Sequence, residues 1–237
     1  MKDRTYPRRG LTGELVHEIG LRIVRGELPP GASIPADGEP GEATVSRTVV
    51  REAIKVLAAK GLVAARPKTG TQVRERRYWN LMDPDVLSWR IEAEPGDDLI
   101  DDVFELRRLL EPTAAALAAA RASEAEVEEL GAAYAQMEAN VADDSEAYIA
   151  ADLQFHAIIL EACHNELLAQ LGSTLRAVFR ASFTRTHGGA VKTLPMHEAV
   201  LAGIRLGDGE RAESAMRALI DGSAALLDEP APAKAGR

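Results

Sequence analysis

One cysteine, Cys163, excludes an intrachain disulfide. It lies in an apolar helical run, where it reads as a core residue of a cytoplasmic protein. Aromatic residues make up only 4% of the chain. So few rings beside abundant alanine favour packed helices over a β-sandwich. No run of 18 apolar residues is present, and the basic first ten residues lack an apolar stretch, so neither a membrane span nor an export leader is expected. The chain has no glycine-rich cofactor loop, no HExxH and no EF-hand text, which weakens any catalytic reading.

What is present is an apolar fraction of 46% over 237 residues, enough for one large or two modest cored domains. The net charge of -9 hides an asymmetry. Residues 1–77 hold 15 Lys/Arg against 9 Asp/Glu, and the remainder holds 13 against 28. A basic small domain followed by an acidic larger one suits a protein of which only one part enters a phosphate field.

Residues 44–63, TVSRTVVREAIKVLAAKGLV, organise the basic part. Thr44 or Ser46 can cap a helix whose apolar positions Val49 or Val50, Ile54 and Leu57 recur at helical spacing. Arg47, Arg51 and Lys55 repeat every four residues on another face, and Gly61 ends the helix. Two short strands around a glycine-containing turn follow, 62–65 and 68–73. Such a stripe suits insertion into a DNA groove, where Arg bridges guanine edges or clamps phosphates. The same spacing also describes a solvated face of an amphipathic helix. Upstream, Leu15, Ile19 and Ile23 with Val16 and Leu21 predict a first helix ending at Arg25-Gly26.

The text VSRTVVREAIKVLAAKGLV with TGTQV resembles the DNA-binding domain of the GntR family of bacterial transcription regulators. The resemblance implies a winged helix-turn-helix over 11–76, with operator DNA contacted by Arg47, Arg51 and Gly70 and by the neighbouring Ser46 and Thr48. The family's second helix would lie just before Val45, but here that span holds Gly38, Pro40 and Gly41, which disfavour a helix, and the family's early Arg falls near Gly38. An ordered connector is expected over 77–97, with a short helix over 85–90 after Asp83-Pro84. Its text WNLMDPDVLSW is similar to regulators that respond to sugar acids such as galactonate and gluconate.

Residues 98–228 read as an all-helical bundle, with helices near 99–120, 124–141, 145–163, 167–186, 195–206 and 210–227. Glu111-Pro112 would start a new turn or kink the first of these. Residues 228–237 read as a disordered tail. VFELRRLLEPTAAALAAARA, DLQFHAIILEACHNELL and MHEAVLAGIRLGDGERAESAM together resemble the FCD ligand-sensing domain of the FadR-like GntR branch. Asp152 and His156, four apart on one helix face, can meet one ion or simply share a hydrogen bond, and His197 can join them from a later helix. Carboxylate and imidazole together suit a divalent Zn, Ni, Fe or Mn ion. The resemblance implies that Asp152, His156 and His197 are three of four metal positions, with the fourth at Leu219, which cannot ligate. His164 and His187 are poorer candidates. Arg107 matches the family position facing an anionic effector, while by its residues alone an interhelical salt bridge serves as well. Arg108 and Arg176 fit surface pairs.

The fold expected is therefore mainly α, a winged helix-turn-helix followed by an all-helical ligand-binding bundle. The resemblance implies a homodimeric, cytoplasmic repressor of a sugar-acid operon that binds double-stranded operator DNA and is released by a small hydroxy-acid effector bound around Arg107, Asp152, His156 and His197. A metal-dependent enzyme on the helical half, or a dimeric scaffold with weakened DNA binding, are the alternatives.

Overall fold

A computed structural model describes residues 10–35, 46–66, 70–93, 97–142, 146–186 and 189–227. It divides into two compact units, Met1–Gly96 and Asp97–Arg237. The first carries the winged helix-turn-helix layout and the second is all helical.

In the first unit, α1 spans Leu11–Val24 and buries the expected Leu15, Val16, Ile19, Leu21 and Ile23. Helix α2 spans Arg47–Ala59 and opposes Val50, Ala53 and Leu57 to that face. The wing has one strand more than the sequence suggested. β1 (Ser33–Ile34) pairs with β3 (Gly70–Val73), which also pairs with β2 (Val63–Arg66), all antiparallel in the order β1-β3-β2. Two residues leave no periodic signal, which is why β1 was illegible. Registers Val63 to Val73 and Ile34 to Thr71 put Val63, Val73 and Ile34 into the same core as α1 and α2.

The span read as a connector packs on this unit. After a 3-10 turn at Arg76–Tyr78, α3 (Pro84–Ala93) contributes Val86 and Trp89 to the core. Thr44, the interrupted stretch around Gly38, Pro40 and Gly41, and the tail at 228–237 lie outside the described residues.

The second unit comprises α4 (Asp97–Arg121), α5 (Glu124–Asn140), α6 (Glu146–Ala162), α7 (Glu166–Thr186), α8 (Ala190–Arg205) and α9 (Gly209–Ala225). Helix α4 packs against α6, α7, α8 and α9, so one long helix backs most of the bundle. Two prolines lie inside helices of this unit. Pro112 lies inside an uninterrupted 25-residue α4, and Pro195 lies inside α8 rather than at its start. Each forfeits one helical hydrogen bond, a loss of about 3 kcal/mol in an isolated helix. Packing on neighbouring helices outweighs that local preference.

Candidate functional site

Helix α6 presents Tyr148, Asp152 and His156 at four-residue spacing, so all three face one side. Helix α8 presents Thr193 and His197 by the same arithmetic, α4 supplies Arg107, and α9 supplies Ser223. These side chains, with Phe183, Thr186 and Ala190, line one cavity. Its volume of about 10 Å³ is room for about one water molecule.

Asp152 Oδ1 lies 3.3 Å from His156 Nε2 and 3.2 Å from His197 Nε2. The far nitrogens of both rings are also held. His156 Nδ1 is 2.6 Å from Glu111 Oε2, and His197 Nδ1 is 2.9 Å from the Thr193 carbonyl oxygen. A carbonyl only accepts, so His197 Nδ1 carries a proton, and Nε2 either donates to Asp152 from a doubly protonated ring or offers its lone pair to a cation.

Glu111 was read in the sequence only as part of a helix break. It is buried between Arg107 and His156: Oε1 accepts from Arg107 Nε at 2.7 Å while Oε2 faces His156. Its spacing of four from Arg107 was the available signal. Burial alone would raise its carboxyl, but the Arg107 and His156 charges and their hydrogen bonds outweigh that and hold it at about 2. Burial likewise opposes charge on Asp152, yet His197 and the hydrogen bonds from both imidazoles keep its carboxyl below the usual range. For His156 burial disfavours the cation, and the Glu111 charge together with the ring's hydrogen bonds to Asp152 and Glu111 reverses this, raising it from its ordinary 6.5.

The donor set suits a divalent transition metal. The candidate ligand atoms lie within 4.8 Å of one another. Ligands about 2.0–2.1 Å from one tetrahedral ion stand roughly 3.3–3.4 Å apart, close to the two separations from Asp152 Oδ1 to the imidazole nitrogens. Leu219, at the expected fourth position, is fully buried and apolar, whereas Ser223 one turn later reaches the cavity.

Arg107 is 1% exposed. Its guanidinium sits over the Phe183 ring at 4.5 Å and lines the cavity, and it spends Nε on Glu111 of the same helix, so the salt bridge is within α4 and not between helices. Its Nη1 is buried and has no hydrogen-bond partner among the described residues. Arg108 pairs at the surface with Asp221, and His164 pairs with Glu126 across α5 and the end of α6. His187 lies outside the described residues.

On the first unit, Ser46 Oγ caps α2 by accepting from Val49 N at 3.4 Å. Arg47, Thr48, Arg51 and Lys55 are exposed, opposite buried Val50, Ala53 and Leu57, and Lys55 is paired with Glu52. Gly70 is exposed at the start of β3 with φ of 77°, a conformation favouring glycine.

Residues 11–73 match the bacterial regulatory proteins of the gntR family, and residues 102–222 match the FCD domain. The chain belongs to the GntR family. Among GntR-family relatives it is 35% identical to the galactonate operon transcriptional repressor of Escherichia coli K12, over 92% of this chain and 97% of the repressor. It is also 35% identical to the E. coli K12 HTH-type transcriptional regulator YieP, over 90% of this chain and 93% of that protein. The solved structure of Lar, which controls expression of the Listeria monocytogenes agr system, shares the fold, with a TM-score of 0.62 at 18% identity over 94% of this chain and 98% of Lar. Membership makes this a DNA-binding transcription regulator rather than an enzyme. Among the described residues, no helix is long and apolar enough to cross a membrane.

Proposed function

We propose that this GntR-family regulator is a repressor of a sugar-acid operon, released from its operator when a small hydroxy acid binds the cavity of the second unit. The carrying observation is the Arg107 Nη1 donor, buried without a hydrogen-bond partner among the described residues, beside Asp152, His156 and His197. A buried guanidinium donor left open is costly until an anion arrives, and a carboxylate is the matching acceptor. Asp152, His156 and His197 would hold a divalent ion, which supplies a second positive centre for the carboxylate and an adjacent hydroxyl. Similarity to the galactonate operon repressor supports an aldonic acid as the effector.

The cavity is water-sized, so a sugar acid enters only as its lining helices move apart. That difference between empty and filled states is what an effector needs to shift a population. In a homodimer, two copies of α2 would place Arg47, Thr48 and Arg51 in successive major grooves, with Ser46 setting the helix start and Gly70 allowing the wing close to phosphate. Retention of a duplex from upstream of the protein's own coding sequence, with and without galactonate, gluconate or a 2-keto-3-deoxy acid, tests the reading. Release by one of these acids supports it, whereas retention indifferent to all of them removes the sugar-acid assignment.

A further inference from the structure

Lys60 caps the C-terminal end of α2 and is buried at both ends of its length. Its carbonyl accepts from Asn80 N at 2.9 Å. Its ammonium, 2% exposed, lies 2.9 Å from both carboxylate oxygens of Asp83 and 2.7 Å from Asp85 Oδ2. Asp83 simultaneously starts α3, because its Oδ1 accepts from Asp85 N at 2.9 Å and from Val86 N at 3.3 Å. One carboxylate thus joins the end of one helix to the beginning of another.

Neighbouring backbone is seated as closely. Gly61 has φ of 79°, and a Cβ there would come within 2.3 Å of the Tyr78 carbonyl oxygen. Leu62 O accepts from Arg74 N at 2.8 Å. At the other end of α3, the fully buried Trp89 donates its indole N–H to His17 Nδ1 at 2.9 Å, and its ring lies 2.7 Å from where a Gly20 Cβ would be. Helix α3 is therefore gripped by α2 through charge and by α1 through shape, and only residues 94–96 separate it in sequence from α4.

We propose that Lys60, Asp83 and Asp85 form a buried positioning triad that makes α3 one rigid body with α2, so that a displacement of α3 is passed to α2 instead of being absorbed between them. The inference rests on α2 being the DNA-inserted helix of the proposed repressor. Removing the ammonium takes from both buried carboxylates the cation that joins them to α2, which favours separation of α3 from its seat.

The test compares the full-length protein with Lys60→Met and with Asp85→Asn, the latter keeping the Lys60 to Asp83 pair in case the former fails to fold. In native-state hydrogen exchange, α3 amides of the parent are expected to open together with those of α1 and α2. In the variants they are expected to exchange about tenfold or more faster while α1 is unchanged. With the upstream duplex, galactonate is expected to change the parent's Kd by about tenfold and the Lys60→Met Kd by less than about threefold, at equal galactonate affinity. A merely structural role would reduce the folded fraction and leave that ratio intact. Exchange of α3 in step with α1 in both variants, or an unaltered galactonate ratio, overturns the triad. A parent indifferent to galactonate removes the effector reading instead, and the exchange result still decides the triad.

Discussion

Arg107 spends Nε on Glu111 and keeps a buried Nη1 with no hydrogen-bond partner among the described residues, the donor that the proposed effector would meet. Arg107→Lys keeps the charge and loses the fork. With one charge-assisted hydrogen bond worth about 1.5–3 kcal/mol, galactonate affinity in titration calorimetry is expected to fall roughly ten- to hundredfold while operator affinity is retained. The triad of Glu111, His156 and Asp152 fixes a pH dependence for the metal-free protein. His156, raised above 6.5, contributes stability in full below its unfolded value and loses it as pH rises through the raised folded value. Glu111 contributes above its unfolded value of 4.5 and loses it as pH falls towards about 2. Thermal midpoints are expected to be highest between about pH 5 and 6.5 and to decline on both sides. His156→Gln is expected to remove the alkaline decline. An ion must take the His156 Nε2 lone pair, so Zn binding is expected to release a proton, read as a buffer-dependent heat, and Asp152→Asn to weaken it.

At the scale of elements, helix starts and close contacts set how firmly the DNA-binding unit holds α2. Ser46→Ala removes the Ser46 cap on Val49 and is expected to cost about 1 kcal/mol in urea unfolding. Gly20→Ala puts a methyl into the Trp89 ring and is expected to cost about 1–3 kcal/mol through overpacking, seen as a lower Tm. These elements differ in how much of them the sequence displays. Long amphipathic helices such as α1 and α6 were legible because four-residue spacing alone puts Leu15 with Ile19, and Asp152 with His156, on one face. β1 is too short to show a period. Pro195 misled because local preference starts a helix at a proline that tertiary packing here carries through. Glu111 was hidden for a related reason: its role depends on α4 and α6 facing each other, which no local spacing records.

For the whole molecule, a basic DNA-binding unit and an acidic FCD unit are joined in one chain, and the proposed regulation requires that occupancy of one alter affinity in the other. Operator binding is expected to weaken steeply with salt, since the proposed contacts of Arg47 and Arg51 are to a polyanion. Fluorescence anisotropy of a labelled upstream duplex, with and without galactonate, brings the two halves into one experiment. The parent is expected to bind and to release on galactonate, Arg47→Ala and Arg51→Ala to lose the duplex while keeping galactonate affinity, and Arg107→Lys to hold the duplex at galactonate levels that release the parent. Equal duplex affinity of the Arg47→Ala and Arg51→Ala variants and the parent, or release of Arg107→Lys at the parent's galactonate concentration, would contradict it.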